Sequence, residues 1–296
     1  MTYALIVREL RKAYATVQAV AGVSFEVARG EIFGLLGPNG AGKTTTIRII
    51  MDILKPDAGQ VTVLGTTPEA ARERVGYLPE ERGLYPNQRV MDVLVYLAEL
   101  KGRSRGWARR RAEELLARVE LADWAKAKVR ELSRGMQQKV QFIASIIHDP
   151  DLCIFDEPFQ GLDPVNVQLV KEIMRELQAQ GKTIVLSTHQ MNQVEALCNR
   201  IALINQGRLV LYGDLGQIKR EYSPNIVTVQ TGAPLPSLEG VVHVRSRDSH
   251  HMLELASGVS PQAILEQLVA AHVPIQSFAV ESLPLEDIFV RVVKGT

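Results

Sequence analysis

The run Gly37-Pro38-Asn39-Gly40-Ala41-Gly42-Lys43-Thr44-Thr45 is the feature that most limits the folds open to this chain. It matches G-x-x-x-x-G-K-[ST], whose glycines let successive backbone N–H groups turn inward toward the oxygens of one phosphate chain. Lys43 brings a point charge for the β and γ phosphates, and Thr44 a hydroxyl for Mg²⁺. The helix that follows directs its positive end at the same anion. Such a loop works between a strand and a helix. An apolar run at 31–36 precedes it, and Ile47, Ile50, Met51 and Leu54 follow it at helical spacing.

The alternation continues down the chain. Continuous apolar runs at 152–155, 184–186 and 201–204 read as strands covered on both faces, so the core is expected to be α/β with a mostly parallel sheet. Residues 4–10, 20–27, 61–64 and 75–78 add strands, which predicts a flanking antiparallel β layer. From Arg89 to His148 the apolar positions keep helical periods, through Val93, Leu97 and Leu100 and then Leu115, Leu116 and Val119. A helical insertion is expected over about residues 86–148. The composition shifts at 221–225, with Ser223 and Pro224, which predicts one domain over 1–221 and a second over 222–296. The second reads as small and α+β: strands at 226–229, 241–244, 252–255 and 275–280, helices at 261–271 and 285–293.

A P-loop alone does not separate kinases, GTPases, helicases and transport motors, so the rest of the site has to decide. The strand at 152–155 ends in Asp156 and Glu157, at the strand edge where open α/β sheets bind ligands. Asp156 suits Mg²⁺, and Glu157 suits a general base that polarises water. Ser133 and Gly135, in Leu132-Ser133-Arg134-Gly135-Met136, open a helix whose face carries Met136, Val140, Ile143 and Ile147. Gly161-Leu162-Asp163-Pro164 opens the next helix, and His189 ends the strand that closes at Thr188.

Taken in this order, the motifs resemble the nucleotide-binding subunit of ATP-binding cassette transporters over about residues 1–220. The resemblance implies ATP and Mg²⁺ as cofactors and ATP hydrolysis as the activity. It implies that Tyr14 stacks on adenine, that residues Gly37 to Thr45 hold the phosphates, and that Thr44 and Asp156 hold the metal. Glu157 would be the base and His189 would touch the γ phosphate. Ser133 and Gly135 would act from a second copy in a head-to-tail homodimer, with Asp163 communicating between the two sites. Three departures stand out. Glu80 replaces the family's usual glutamine: it can still reach Mg²⁺ but cannot donate as an amide does. Arg134 stands where glycine is usual, and Met136 where glutamine is usual.

These variants, with the ending Ser282-Leu283-Pro284-Leu285-Glu286-Asp287-Ile288-Phe289, resemble the branch that works with separate ABC-2 type export permeases, including sodium and drug exporters. The resemblance implies a motor held at the cytoplasmic face of the membrane by its permease. Its competitors are a soluble cassette ATPase of translation or DNA repair and a small-molecule kinase.

The balance of 34 Lys and Arg against 33 Asp and Glu leaves a net charge of +1, and no nucleic-acid partner is expected. No signal peptide or run of roughly 18 apolar residues is present, so the chain is expected neither to cross a membrane nor to be exported. Cys153 and Cys198 sit in apolar stretches and read as buried thiols in a reducing compartment. The arginines at 103, 105, 109, 110 and 111 read as a solvated helix face before a lipid-binding one, and His250-His251 as a surface pair before a metal site.

Overall fold

The computed structural model describes residues 2–81, 83–223 and 225–294. Pro224, part of the expected domain break, lies outside them. The elements run β1 (Tyr3–Tyr14), β2 (Val17–Ala28), β3 (Ile32–Leu36), α1 (Lys43–Ile50), β4 (Ala58–Val63), β5 (Val75–Leu78), α2 (Val90–Leu100), α3 (Arg105–Arg118), α4 (Arg134–Ile146), β6 (Leu152–Asp156), α5 (Pro164–Ala179), β7 (Thr183–Thr188), α6 (Met191–Leu197), β8 (Arg200–Asn205), β9 (Arg208–Asp214) and α7 (Leu215–Tyr222). Then follow β10 (Ile226–Thr231), β11 (Val241–Arg247), β12 (His250–Leu255), α8 (Pro261–Ala270), β13 (Ile275–Val280) and α9 (Leu285–Lys294). Two compact units result, Met1–Leu215 and Gly216–Thr296.

The first unit is built on a six-stranded sheet in the order β5-β6-β7-β3-β8-β9, parallel except for β9. Every residue of β3, β6 and β7 is buried, as strands covered on both faces must be. An antiparallel layer, β2-β1-β4, lies beside it. The Phe25 ring on β2 stacks on Phe33 of β3 at 5.5 Å and 8°, joining the layers through apolar area. In the helical segment, Phe142 of α4 meets Phe155 of β6 at 5.1 Å.

The structure corrects the sequence reading in two places. α1 stops at Ile50, so Met51 and Leu54, expected on the helix, pack on the core from the turn beyond it. β9, which was not among the expected strands, carries no buried residue; its signals are the short apolar run 209–212 and the Gln206-Gly207 turn before it, where φ of 48° and 73° suits a two-residue hairpin.

Four of the five arginines noted above are engaged on the protein. Arg103 donates to the His148 carbonyl at 2.9 and 2.6 Å, and Arg105, Arg109 and Arg111 pair with Glu99, Glu113 and Glu114. Among the described residues no helix is long and apolar enough to cross a membrane, and no cluster could hold a metal through three or more His, Cys, Asp or Glu.

The second unit is a four-stranded antiparallel sheet, β11-β12-β10-β13. Val227, Val229, Leu253 and Leu255 form a small core with Ile264 and Leu268 of α8. Ser260 starts that helix by accepting from the Ala263 N–H at 3.2 Å, with Pro261 in its first turn. His251 shares a 2.7 Å hydrogen bond with Ser246 on the neighbouring strand.

His148 makes the stability of the first unit depend on pH. Its Nε2 donates to the Val75 carbonyl at 3.2 Å, and burial, reinforced by Lys101, pushes its pKa down from 6.5 to about 4.

 

The free imidazole of the unfolded chain takes up a proton near pH 6.5, whereas the folded chain refuses it until about pH 4. The stabilisation is therefore complete above pH 6.5 and is lost as the pH falls toward 4. Urea unfolding at pH 7 and pH 4.5 is expected to show His148→Gln losing about 2 kcal/mol less than the parent chain across that interval. Parallel losses in the two proteins would remove His148 as the cause.

Candidate functional site

The loop between β3 and α1 is shaped by close backbone approaches. Gly42 has φ 108°, and a Cβ there would sit 2.3 Å from the Ala19 carbonyl oxygen. At Gly37, with φ 148°, a Cβ would sit 2.1 Å from the Ile204 carbonyl oxygen. Both positions therefore exclude any side chain, for steric as well as conformational reasons. Gly42 also caps α1 without a side chain, so no capping group competes for the N–H donors of the first turn.

Lys43, the first residue of α1, is 6% exposed and donates from Nζ to the carbonyls of Gly37 at 2.7 Å and Pro38 at 3.1 Å. Burial lowers its pKa, while the charges of Glu157, Asp156 and Glu80 oppose that shift. The ammonium is thus a desolvated cation surrounded by acids, a setting suited to an entering anion.

The two carboxylates sit at the end of β6, where Asp156 pairs in register with Ser187 of β7. Asp156 accepts from Ser187 Oγ at 2.7 Å and from Thr44 Oγ1 at 3.2 Å. Burial raises its pKa against the pull of those two hydroxyls. Glu157 leaves the strand with φ 51°, a left-handed conformation uncommon for a residue with a side chain. Its Oε2 accepts from Thr188 Oγ1 at 2.8 Å, and its Oε1 from the His189 N–H at 2.9 Å. His189 Nδ1 lies 2.7 Å from the same Oε1, a separation at which an Nδ1–H donates to the carboxylate oxygen.

A cavity of about 500 Å³ opens over these groups. It is lined by residues 39–45, by Glu80, Asp156 and Glu157, and by Val17, Gln18, Ala19 and Gln206 from two hairpins. The hairpin residues were not singled out in the sequence, although the Gln206-Gly207 turn marks one of them. That turn is stitched to the loop by Gly207 N–H donating to Ala41 at 2.9 Å, and to β2 by Ala21 N–H donating to Gly207 at 2.8 Å. Tyr14, expected at the adenine, is 44% exposed at the end of β1 and does not line the cavity; Val17, its partner in the β1–β2 register, does.

Glu80 is exposed after β5 and reaches the cavity lining. Its flanks are fixed by Gln141 Nε2, which donates to the carbonyls of Pro79 at 3.2 Å and Glu81 at 2.9 Å. Ser133, Gly135 and Asp163 lie outside the cavity. Ser133 caps α4, accepting from the Met136 N–H at 3.3 Å, while Asp163 caps α5 through Asn166 N–H at 3.0 Å and Nδ2 at 2.6 Å. Those hydrogen bonds, the backbone one first, hold the Asp163 carboxyl below its ordinary pKa. Gly135 approaches the Gly161 carbonyl, so the starts of α4 and α5 adjoin. Arg134 is exposed beside them, and Met136 is half-buried.

The groups fit a nucleotide with Mg²⁺. Thr44 and Asp156 offer hard oxygen ligands 3.2 Å apart, and the loop beside Lys43, with glycine at 37, 40 and 42, leaves room for phosphate.

The comparisons with known proteins agree with this chemistry. The ABC transporter family profile matches residues 20–160, and that of the C-terminal domain of DrrA1-3-like ATP-binding proteins matches residues 213–293. The ABC transporter ATP-binding protein YhaQ of Bacillus subtilis (strain 168) is 39% identical over 291 residues, covering 97% of both chains. The Nod factor export ATP-binding protein I of Paraburkholderia xenovorans (strain LB400) is 42% identical over 209 residues, 69% of each chain. Among solved structures, the dimeric post-hydrolysis state of the ATP-binding cassette MJ0796 bound to ADP and Pi matches with a TM-score of 0.67 at 25% identity, covering 71% of this chain and 98% of that one. The chain belongs to the ATP-binding proteins of ABC transporters, whose activity is ATP hydrolysis with Mg²⁺.

Proposed function

We propose that this ABC ATPase is the motor subunit of an exporter, closing on ATP as a head-to-tail pair of identical copies and driving a separate permease of the ABC-2 type from the cytoplasmic face of the membrane. The observation that carries the reading is the division of the site. The loop, the metal ligands and the carboxylate base line one cavity, whereas Ser133, Gly135 and Asp163 sit on a different surface of the same chain. A second copy facing the first would bring that surface over the cavity and complete it. The dimeric state named for the MJ0796 cassette and the export role named for the Paraburkholderia relative support the reading. The export role named for that relative speaks for transport over translation or DNA repair.

In this reading Gly37 to Thr45 wrap the phosphates, with Lys43 leaving its two carbonyls for the anion. Thr44 and Asp156 would hold Mg²⁺, with Glu80 on the same cavity wall; when bound, the ion would supply charge neutralisation for the phosphates. Glu157 takes the proton of the attacking water as its oxygen bonds to the γ phosphorus and the bond to the bridging oxygen breaks, giving ADP and phosphate. His189 steadies Glu157 and presents its ring at the γ phosphate. Ser133 and Gly135 supply donors from the partner copy, Asp163 links the two sites, and Tyr14, outside the cavity but paired in register with its lining residue Val17, would offer adenine an aromatic face.

Glu157→Gln is expected to keep ATP affinity, to cut kcat about 10³-fold and to accumulate a dimer in ATP on size-exclusion chromatography. Wild-type turnover in that variant would sink the base assignment. Lys43→Ala is expected to weaken ATP binding itself, read by equilibrium dialysis. Gentle detergent extraction of native membranes is expected to recover the chain with a protein of several apolar spans; recovery of the chain alone would count against the transport partner.

A further inference from the structure

The end of β7 changes character where it meets the carboxylates. Thr183-Ile184-Val185-Leu186 is followed by Ser187 and Thr188, both fully buried. Each hydroxyl holds a different acid: Ser187 Oγ donates to Asp156 Oδ1 at 2.7 Å, and Thr188 Oγ1 donates to Glu157 Oε2 at 2.8 Å. Two consecutive residues of one strand therefore grip two consecutive residues of its neighbour.

The geometry points to Ser187 and Thr188 as positioning residues that keep the two carboxylates apart in function, one for the metal and one for water; this rests on the hydrolytic reading above. The register of β6 and β7 sets Asp156 beside Ser187, so a strand neighbour reaches that carboxylate without leaving the sheet. Glu157 has a different problem, because successive strand residues alternate in direction. Its left-handed backbone turns it back to β7, and its own N–H donates to the Ser187 carbonyl at 2.9 Å.

Thr188 is fixed on its other side as well. Its Oγ1 accepts from the Gln190 N–H at 3.1 Å, which leaves its hydrogen for Glu157. Removing this donor leaves Oε2 unpaired in a buried position, where an unmet acceptor is costly. Lys43 is the competing partner, since it feels the charge of Glu157 more strongly than that of any other acid. The hydroxyl thus keeps the carboxylate with His189 and away from the lysine that the phosphate needs.

The test is steady-state ATP hydrolysis by the full chain, with ATP binding measured in parallel as the check on folding. Thr188→Val keeps the shape and is expected to lower kcat roughly 10- to 100-fold with KM for ATP changed by no more than about twofold, and Thr188→Ser is expected to restore it. Added to Glu157→Gln, it is expected to cost nothing further, because the group it positions has gone. Ser187→Ala is expected to raise the Mg²⁺ concentration for half-maximal activity roughly tenfold. If valine prevents folding, Thr188→Ala against Thr188→Ser makes the same comparison. Full activity of Thr188→Val beside an inactive Glu157→Gln overturns the clamp alone, whereas an active Glu157→Gln overturns the base reading beneath it.

Discussion

A single buried ammonium organises the site. Lys43 is nearly shielded from water, and its direct partners are the carbonyls of Gly37 and Pro38. A cation in that position is expensive unless other groups compensate it. Asp156, Glu157 and Glu80 do so through their fields, from two separate segments of the chain. Each acid in turn needs a fixed place, since a free carboxylate would collapse onto the lysine. The hydroxyls of Thr44, Ser187 and Thr188 and the imidazole of His189 supply those fixed places. The charge that prepares the cavity for phosphate thus dictates the residue types at the ends of two buried strands.

The backbone around the lysine is constrained just as closely. Ala19 presses against Gly42, Ile204 against Gly37, and the Gly207 turn joins Ala41 to Ala21. The loop is held between the antiparallel layer and the β8–β9 hairpin, two elements that contribute no charge to the site. Rigid support of this kind fixes the N–H donors before any anion arrives, so little reorganisation is required when one binds.

Much of this was legible in the sequence because its causes are local. Glycines at fixed offsets, a lysine after them and acids at the end of an apolar run each report a short-range requirement. The β9 strand was less visible, since its residues are half-buried on a sheet edge and the hairpin turn is its main signal. The contribution of Val17, Gln18, Ala19 and Gln206 to the cavity depends on hairpins distant in sequence folding onto the loop. For the same reason Tyr14 and Val17, three residues apart, could not be ranked as cavity neighbours from spacing alone. Ser187 and Thr188 looked like the polar end of a strand until the β6–β7 register set them beside the acids.

The helix α4 connects the two surfaces that the proposed dimer would bring together. It starts at the exposed Ser133 and runs inward to Phe142, which packs on Phe155 of β6. Between them, Gln138 Nε2 donates to the Pro158 carbonyl at 3.2 Å, immediately after Glu157. One turn on, Gln141 Nε2 donates to the carbonyls on either side of Glu80. Both amides are buried, so neither can exchange its carbonyl for water without a penalty of about 1–3 kcal/mol. A load applied at Ser133 would therefore reach the proposed base and Glu80 through hydrogen bonds and packed rings, rather than through a flexible loop. Coupling between a partner copy and the chemistry needs such a stiff element, and α4 joins the Ser133 surface to both contacts within two turns.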